Sequence, residues 1–142
     1  MTVAPDPSRD LADAYLADLA LTQQPPSVEA LTEIVRRHIA QYSFASIGPR
    51  LGDDLPIDPD SLLDRIVVRR RGGYCFEQNG LLFAVLEELG YPVRLQMARV
   101  LVSGNAHPGL THRVTRTIVD GVEYLVDVGF GPQGCLLYTS DA

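Results

Sequence analysis

Cys75, His112 and Asp127 are the residues whose types and surroundings suit nucleophilic chemistry. Cys75 follows a double glycine in Arg71-Gly72-Gly73-Tyr74-Cys75-Phe76-Glu77-Gln78-Asn79. Downstream of it, Phe76, Leu82, Phe83, Leu86 and Leu89 recur near helical spacing, and Gly90 with Pro92 stops the run. The spacing therefore predicts Cys75 in a first helical turn. There the unpaired N–H groups and the positive end of the helix dipole favour a thiolate over a thiol. The glycines allow a sharp turn and leave room above the sulfur. A lone cysteine is more often a small buried hydrophobe than a nucleophile, so this reading requires a base.

The base comes from a hairpin whose register can be counted. Asp120-Gly121 is a strong two-residue hairpin signal between Thr111–Val119 and Val122–Val128, both β-patterned. If these two residues form the turn, Val119 faces Val122 and Val114 lies opposite Asp127. His112 is two residues from Val114, hence on the same face. His112 and Asp127 are then diagonal neighbours roughly 7–8 Å apart, within reach of each other's side chains. A slip of one residue would put them on opposite faces. An aspartate between Val126 and Val128 needs a partner, because a buried unpaired carboxylate is costly. A structural His–Asp pair is the bland alternative. A histidine oriented by a carboxylate and set beside a helix-start cysteine is the functional one: an activated thiolate.

The elements that must position these residues fall into two layers. A helix is predicted from about Asp10 to Leu19, with Ser8 or Asp10 as N-cap, and another from Val28 to Tyr42, capped by Ser27. His38 lies on the apolar face of the second and reads as a satisfied packing histidine. A Pro/Gly/Asp-rich loop spans Gly48–Pro59, and a short helix over Asp60–Val68 feeds the glycine turn. From Tyr91 the period changes to two, with a strand beginning at Val93. His107 sits in the loop Ser103–Gly109 and reads as a solvated side chain.

Composition bounds the function classes. The chain has 142 residues, is 46% apolar and carries a net charge of −6. That balance disfavours a nucleic-acid or anionic-membrane surface as the main business. The basic cluster Arg69-Arg70-Arg71 reads as a solvated turn with one structural arginine. No apolar run approaches the roughly 18 residues of a membrane span, and Met1–Asp10 has no signal-peptide core, so a cytoplasmic protein is expected. Two cysteines, Cys75 and Cys135, are expected to be reduced thiols. No Cys/His cluster has zinc spacing, and no metal is expected.

The motifs together carry a resemblance. Arg71-Gly72-Gly73-Tyr74-Cys75-Phe76-Glu77-Gln78-Asn79 resembles the RGGxCxExN signature of the arylamine N-acetyltransferases. Thr111-His112-Arg113 and Val126-Asp127-Val128-Gly129-Phe130-Gly131 match the next two blocks of that family in order and spacing. The resemblance implies an α+β, papain-like thiol-enzyme arrangement. Its parts are a helical domain over 1–89 carrying the nucleophile and the start of an antiparallel β-barrel domain over 90–131, with an α/β lid to follow. It implies a triad of Cys75, His112 and Asp127 and a ping-pong acetyl transfer from acetyl-CoA to an arylamine or hydrazine through an acetyl-cysteine. It implies that Thr111, Phe130 and Gly131 line the amine pocket and meet the coenzyme, and that Arg71 and Glu77 tie the cysteine turn to the helices by ion pairs.

The chain also departs from that pattern. Family chains are about twice as long, and the match stops after Gly131. Residues 132–142 are expected to be a non-native tail, the lid is expected to be absent, and the last strand of the hairpin is expected to present an open edge. Ser43-Phe44-Ala45-Ser46-Ile47 replaces the Pro-Phe-Glu-Asn-Leu block common in the family. The alternatives are another Cys-His-Asp thiol enzyme, transglutaminase-like or a peptidase, or an inactive truncated fragment.

Overall fold

The computed structural model describes residues 10–45, 56–99, 110–129 and 137–139. Helix α1, Leu11–Asp18, follows Asp10, whose side chain makes no cap bond. One of its orphan N–H groups, on Ala12, is met instead by Glu88 Oε2 at 2.6 Å. Helix α2, Val28–Gln41, is capped as its sequence predicts: Ser27 Oγ accepts from Ala30 N at 3.0 Å. Helix α3, Pro59–Leu63, is capped by Asp58 and runs into a π-helical turn, Asp64–Val68. That turn is closed by Arg69 N donating to Asp64 O at 2.8 Å. Helix α4, Cys75–Glu88, then carries the motif. Among the described residues no helix is long and apolar enough to cross a membrane.

Among the described residues, four antiparallel strands follow in simple order: β1 Val93–Arg99, β2 Leu110–Val119, β3 Val122–Val126 and β4 Leu137–Thr139. Asp120 (φ +51°) and Gly121 (φ +78°) both adopt the left-handed conformation that a two-residue hairpin turn needs. The resulting register pairs Val119 with Val122 and Thr115 with Val126, the pairing that the sequence predicts. The core lies between the helices and the sheet. Leu31, Leu81, Leu82, Val85 and Leu86 are completely buried in it, and Val119 and Val126 close it from the strands. Each fully buried aliphatic side chain of this kind contributes about 1.5–3 kcal/mol.

The structure corrects three expectations. Strand β3 stops at Val126, not Val128, because Asp127 and Val128 leave the ladder to bond with side chains of the site. The hairpin's last strand does not end the sheet: Leu137–Thr139, within the segment read as a tail, pairs with Tyr124–Val126. Finally, Glu77 forms the buried ion pair implied for it, with Arg65 at 2.6 Å, but Arg71 is exposed. Arg65 belongs to the π-helical turn, whose direction the sequence pattern does not reveal. His107, Phe130, Gly131 and Cys135, together with most of 132–142, lie outside the described residues.

Candidate active site

Cys75 is the first residue of α4, and the turn before it is built so that only glycine fits. Gly72 has φ +69°, and a Cβ there would stand 2.3 Å from Ser43 O. Gly73 forms an isolated parallel bridge with Phe44, with Gly73 N donating to Ser43 O (3.2 Å) and Ala45 N to Gly73 O (2.9 Å). Glu77, at the third helical position, accepts from Tyr74 N at 3.2 Å with one oxygen and pairs with Arg65 through the other. The carboxylate both caps the helix and anchors it to the preceding turn.

On the facing strands, His112 Nε2 lies 2.6 Å from Asp127 Oδ2. His112 and Asp127 are buried and Cys75 is half-buried. The Cys75 and His112 side chains are hydrogen-bonded, and with Nε2 committed to Asp127 the ring leaves Nδ1 for the sulfur. The sulfur also accepts main-chain N–H groups of Arg113 and Phe76. The electrostatics follow from these contacts. Burial pushes the Cys75 thiol up, but the hydrogen bond from His112, the two N–H groups and the imidazole charge together hold it below the ordinary thiol value. The hydrogen bonds to Asp127 and then to Cys75 raise His112 to about 9. The resting site therefore favours a thiolate–imidazolium pair.

Two further residues fix this geometry. Asn79, one helical turn after Cys75, donates to Arg113 O (2.6 Å) and Asp127 Oδ1 (3.0 Å) and accepts from Val128 N (2.9 Å). Gly129 N adds a second bond to Asp127 Oδ1 at 2.9 Å. One oxygen of Asp127 is thus saturated by the scaffold, and the other is left for the imidazole.

A family profile described as N-acetyltransferase matches residues 27–139. The chain belongs to the arylamine N-acetyltransferase family. The arylamine N-acetyltransferase of Mycobacterium bovis is 44% identical over 116 residues, which is 76% of this chain and 40% of that protein. The solved arylamine N-acetyltransferase of Salmonella typhimurium superposes with a TM-score of 0.88 at 32% identity, over 94% of this chain and 50% of that one. That of Mycobacterium marinum in complex with CoA superposes at 0.77 and 35% identity, over 88% of this chain and 49% of that one. The chain thus spans about half the length of these relatives.

Within the chain, Cys75, His112 and Asp127 are brought together; the counted register predicts the His112–Asp127 pair, and the resemblance implies that Cys75 joins it. Thr111 lies in β2. Asn79 belongs to the cysteine motif, but the motif alone assigns it no role. A signal was available, because an asparagine four residues after the cysteine shares its helix face. Gly129 lies against the Cys75 main chain, and its role depends on how closely the two layers approach, which no local pattern encodes.

Proposed function

We propose that this chain carries the acetyl-transfer chemistry of its family: an acetyl group passes from acetyl-CoA to Cys75 and then to an arylamine or hydrazine. The observation that carries the reading is a helix-start cysteine hydrogen-bonded to a histidine that is itself held by a buried carboxylate. In the first half-reaction the Cys75 thiolate attacks the thioester carbonyl. The main-chain N–H of Cys75, at a helix N-terminus, is the oxyanion donor we assign. Collapse of the adduct breaks the carbonyl–sulfur bond to coenzyme A, and the departing thiolate takes the proton of the His112 imidazolium. In the second half-reaction the amine attacks the acetyl-cysteine and gives its proton to His112. The Cys75 thiolate leaves, and the starting pair is restored. Asp127 holds the imidazole tautomer throughout.

By the same resemblance we assign Thr111, Phe130 and Gly131 to the amine pocket and coenzyme contacts. The CoA complex of the Mycobacterium marinum relative supports a coenzyme ligand. A papain-like ancestry agrees with the nucleophile on a helix and the His–Asp pair on a sheet. A reducing cytoplasm suits a thiolate nucleophile.

The test is to incubate the chain with acetyl-CoA, with and without an arylamine, and to follow Cys75 acetylation by peptide mass spectrometry and N-acetylated product by chromatography. Acetyl-Cys75 that forms without amine and discharges when amine is added is the expected result, with both signals absent in Cys75→Ser. Product that forms in Cys75→Ser at the wild-type rate would overturn the reading. Hydrolysis of a peptide amide at Cys75 without acetyl transfer would favour a peptidase.

A further inference from the structure

His38 and Tyr15 take no part in the chemistry above, yet both are completely buried and joined to the cysteine turn by an unbroken line of hydrogen bonds. Tyr15 Oη lies 2.6 Å from His38 Nδ1. His38 Nε2 lies 2.6 Å from Gln78 Oε1. Gln78 Nε2 reaches Ser43 O at 2.9 Å and Gly73 O at 3.3 Å. These two carbonyls belong to the bridge that shapes the turn before Cys75.

The ends of this line dictate every proton in it. Ser43 O and Gly73 O accept only, so Gln78 must turn its NH2 toward them. Its oxygen then faces His38, so Nε2 must carry the proton and Nδ1 must accept. Tyr15 must therefore donate. Flipping the Gln78 amide would set its oxygen against two carbonyls, and moving the His38 proton to Nδ1 would leave Nε2 facing an oxygen with no hydrogen between them. A buried network with one permitted arrangement rigidifies whatever it holds.

We propose that His38, fixed in one tautomer by Gln78 and braced by Tyr15, is a positioning residue that holds the Gln78 amide, and through it the Gly72-Gly73 turn, so that Cys75 meets His112. Tyr15 lies ahead of residues 27–139, the stretch matched by the family profile, so α1 contributes to the site from outside that stretch. The same helix reaches the turn a second time. Asp18, three residues after Tyr15, holds Arg70 by two bonds of 2.8 and 2.6 Å, and Arg70 has φ +55°, a left-handed conformation unfavourable for a side chain of its size.

The test reads the thiol and the imidazole, not acetyl transfer, so it is decided even if the proposed transferase activity is absent. Iodoacetamide labelling of Cys75 is followed from about pH 5 to 9 by peptide mass spectrometry, which separates it from Cys135. The His38 ring nitrogens are read by 15N NMR. The expected wild-type signature is an Nε2–H imidazole with a protected proton. Tyr15→Phe and His38→Ala should slow labelling at pH 7 about three- to tenfold and move the profile to higher pH, as misplacement of a reacting group does. His38→Gln, whose amide can still donate to Gln78, should recover most of the rate. Leu31→Ala, a core truncation that lowers stability but removes no hydrogen-bonding atom of the relay, should keep the wild-type profile. An Nδ1–H tautomer, a Tyr15→Phe profile that superimposes on wild type, or a Leu31→Ala profile shifted as far as Tyr15→Phe would each overturn the proposal.

Discussion

Gly129 rests against the main chain of Cys75: a Cβ on Gly129 would stand 2.7 Å from Cys75 Cα and 3.0 Å from Asn79 Nδ2. The exit of the hairpin and the start of α4 are in van der Waals contact there, and the obstructing atom is backbone, which cannot rotate away. Gly129→Ala should therefore part the two layers. We expect a loss of about 1–3 kcal/mol in urea unfolding, the usual cost of overpacking. We also expect Cys75 alkylation to slow by about tenfold or more, because His112 is carried away from the sulfur. Alkylation at the wild-type rate would show that the contact can be relieved without disturbing the site.

Asn79 donates to Asp127 and to the Arg113 carbonyl from one nitrogen. Asn79→Ala removes these bonds and should cost about 1–3 kcal/mol for the buried groups left unpaired. Asn79→Asp is nearly isosteric but sets a second carboxylate beside the first, so it should be the more damaging of the two. Urea midpoints and alkylation rates measured on both variants check this order. A mere loss of volume would reverse it.

The thiol of Cys75 is depressed and His112 is raised to about 9, so the thiolate–imidazolium pair should persist across neutral pH. Alkylation of the wild-type chain should reach its plateau below the ordinary thiol range. In His112→Ala, burial of the sulfur is opposed only by main-chain N–H groups and the helix terminus. Its plateau should move upward, and its rate at pH 7 should fall about tenfold or more. Stopped-flow alkylation of both proteins from pH 5 to 10 gives the comparison, and coincident curves would remove His112 from the activation of the thiol.

Burial lowers His38 to about 4. The folded state thus binds fewer protons than the unfolded state, in which histidine titrates near 6.5. The stability attached to the neutral ring is present above about pH 6.5 and is lost as pH falls toward 4. Its size is about 3 kcal/mol. Urea midpoints at pH 7 and at pH 4.5 should differ by more in wild type than in His38→Gln, which has no proton to gain. Equal differences would place the acid sensitivity elsewhere.

The hairpin shows how much can be read when a turn fixes the counting. Asp120-Gly121 admits one tight two-residue connection, so every pair back to Thr115 and Val126 follows, and with it the meeting of His112 and Asp127. The helix start at Cys75 was equally legible, because glycine, capping and periodicity all mark the same boundary. Legibility ended where partners come from different elements. Glu77 reads as one member of an ion pair, but its mate Arg65 lies in the π-helical turn, whose direction no local pattern sets. His38 was readable as a buried, satisfied histidine, but its partners Tyr15 and Gln78 lie 23 and 40 residues away, and no local pattern joins them. Leu137–Thr139 is too short and too isolated for its pattern to distinguish a strand from a tail.

The three side chains of the site are divided between two layers, with the sulfur on α4 and the imidazole and carboxylate carried by the hairpin and its exit. The acidity of Cys75 is therefore a reporter of assembly. A molecule with intact helices and an undocked hairpin carries a slow, ordinary thiol, while circular dichroism in the far ultraviolet still records much of its helix. Labelling near pH 6 would count only the molecules whose layers have closed, turning the sulfur into a gauge of docking between them.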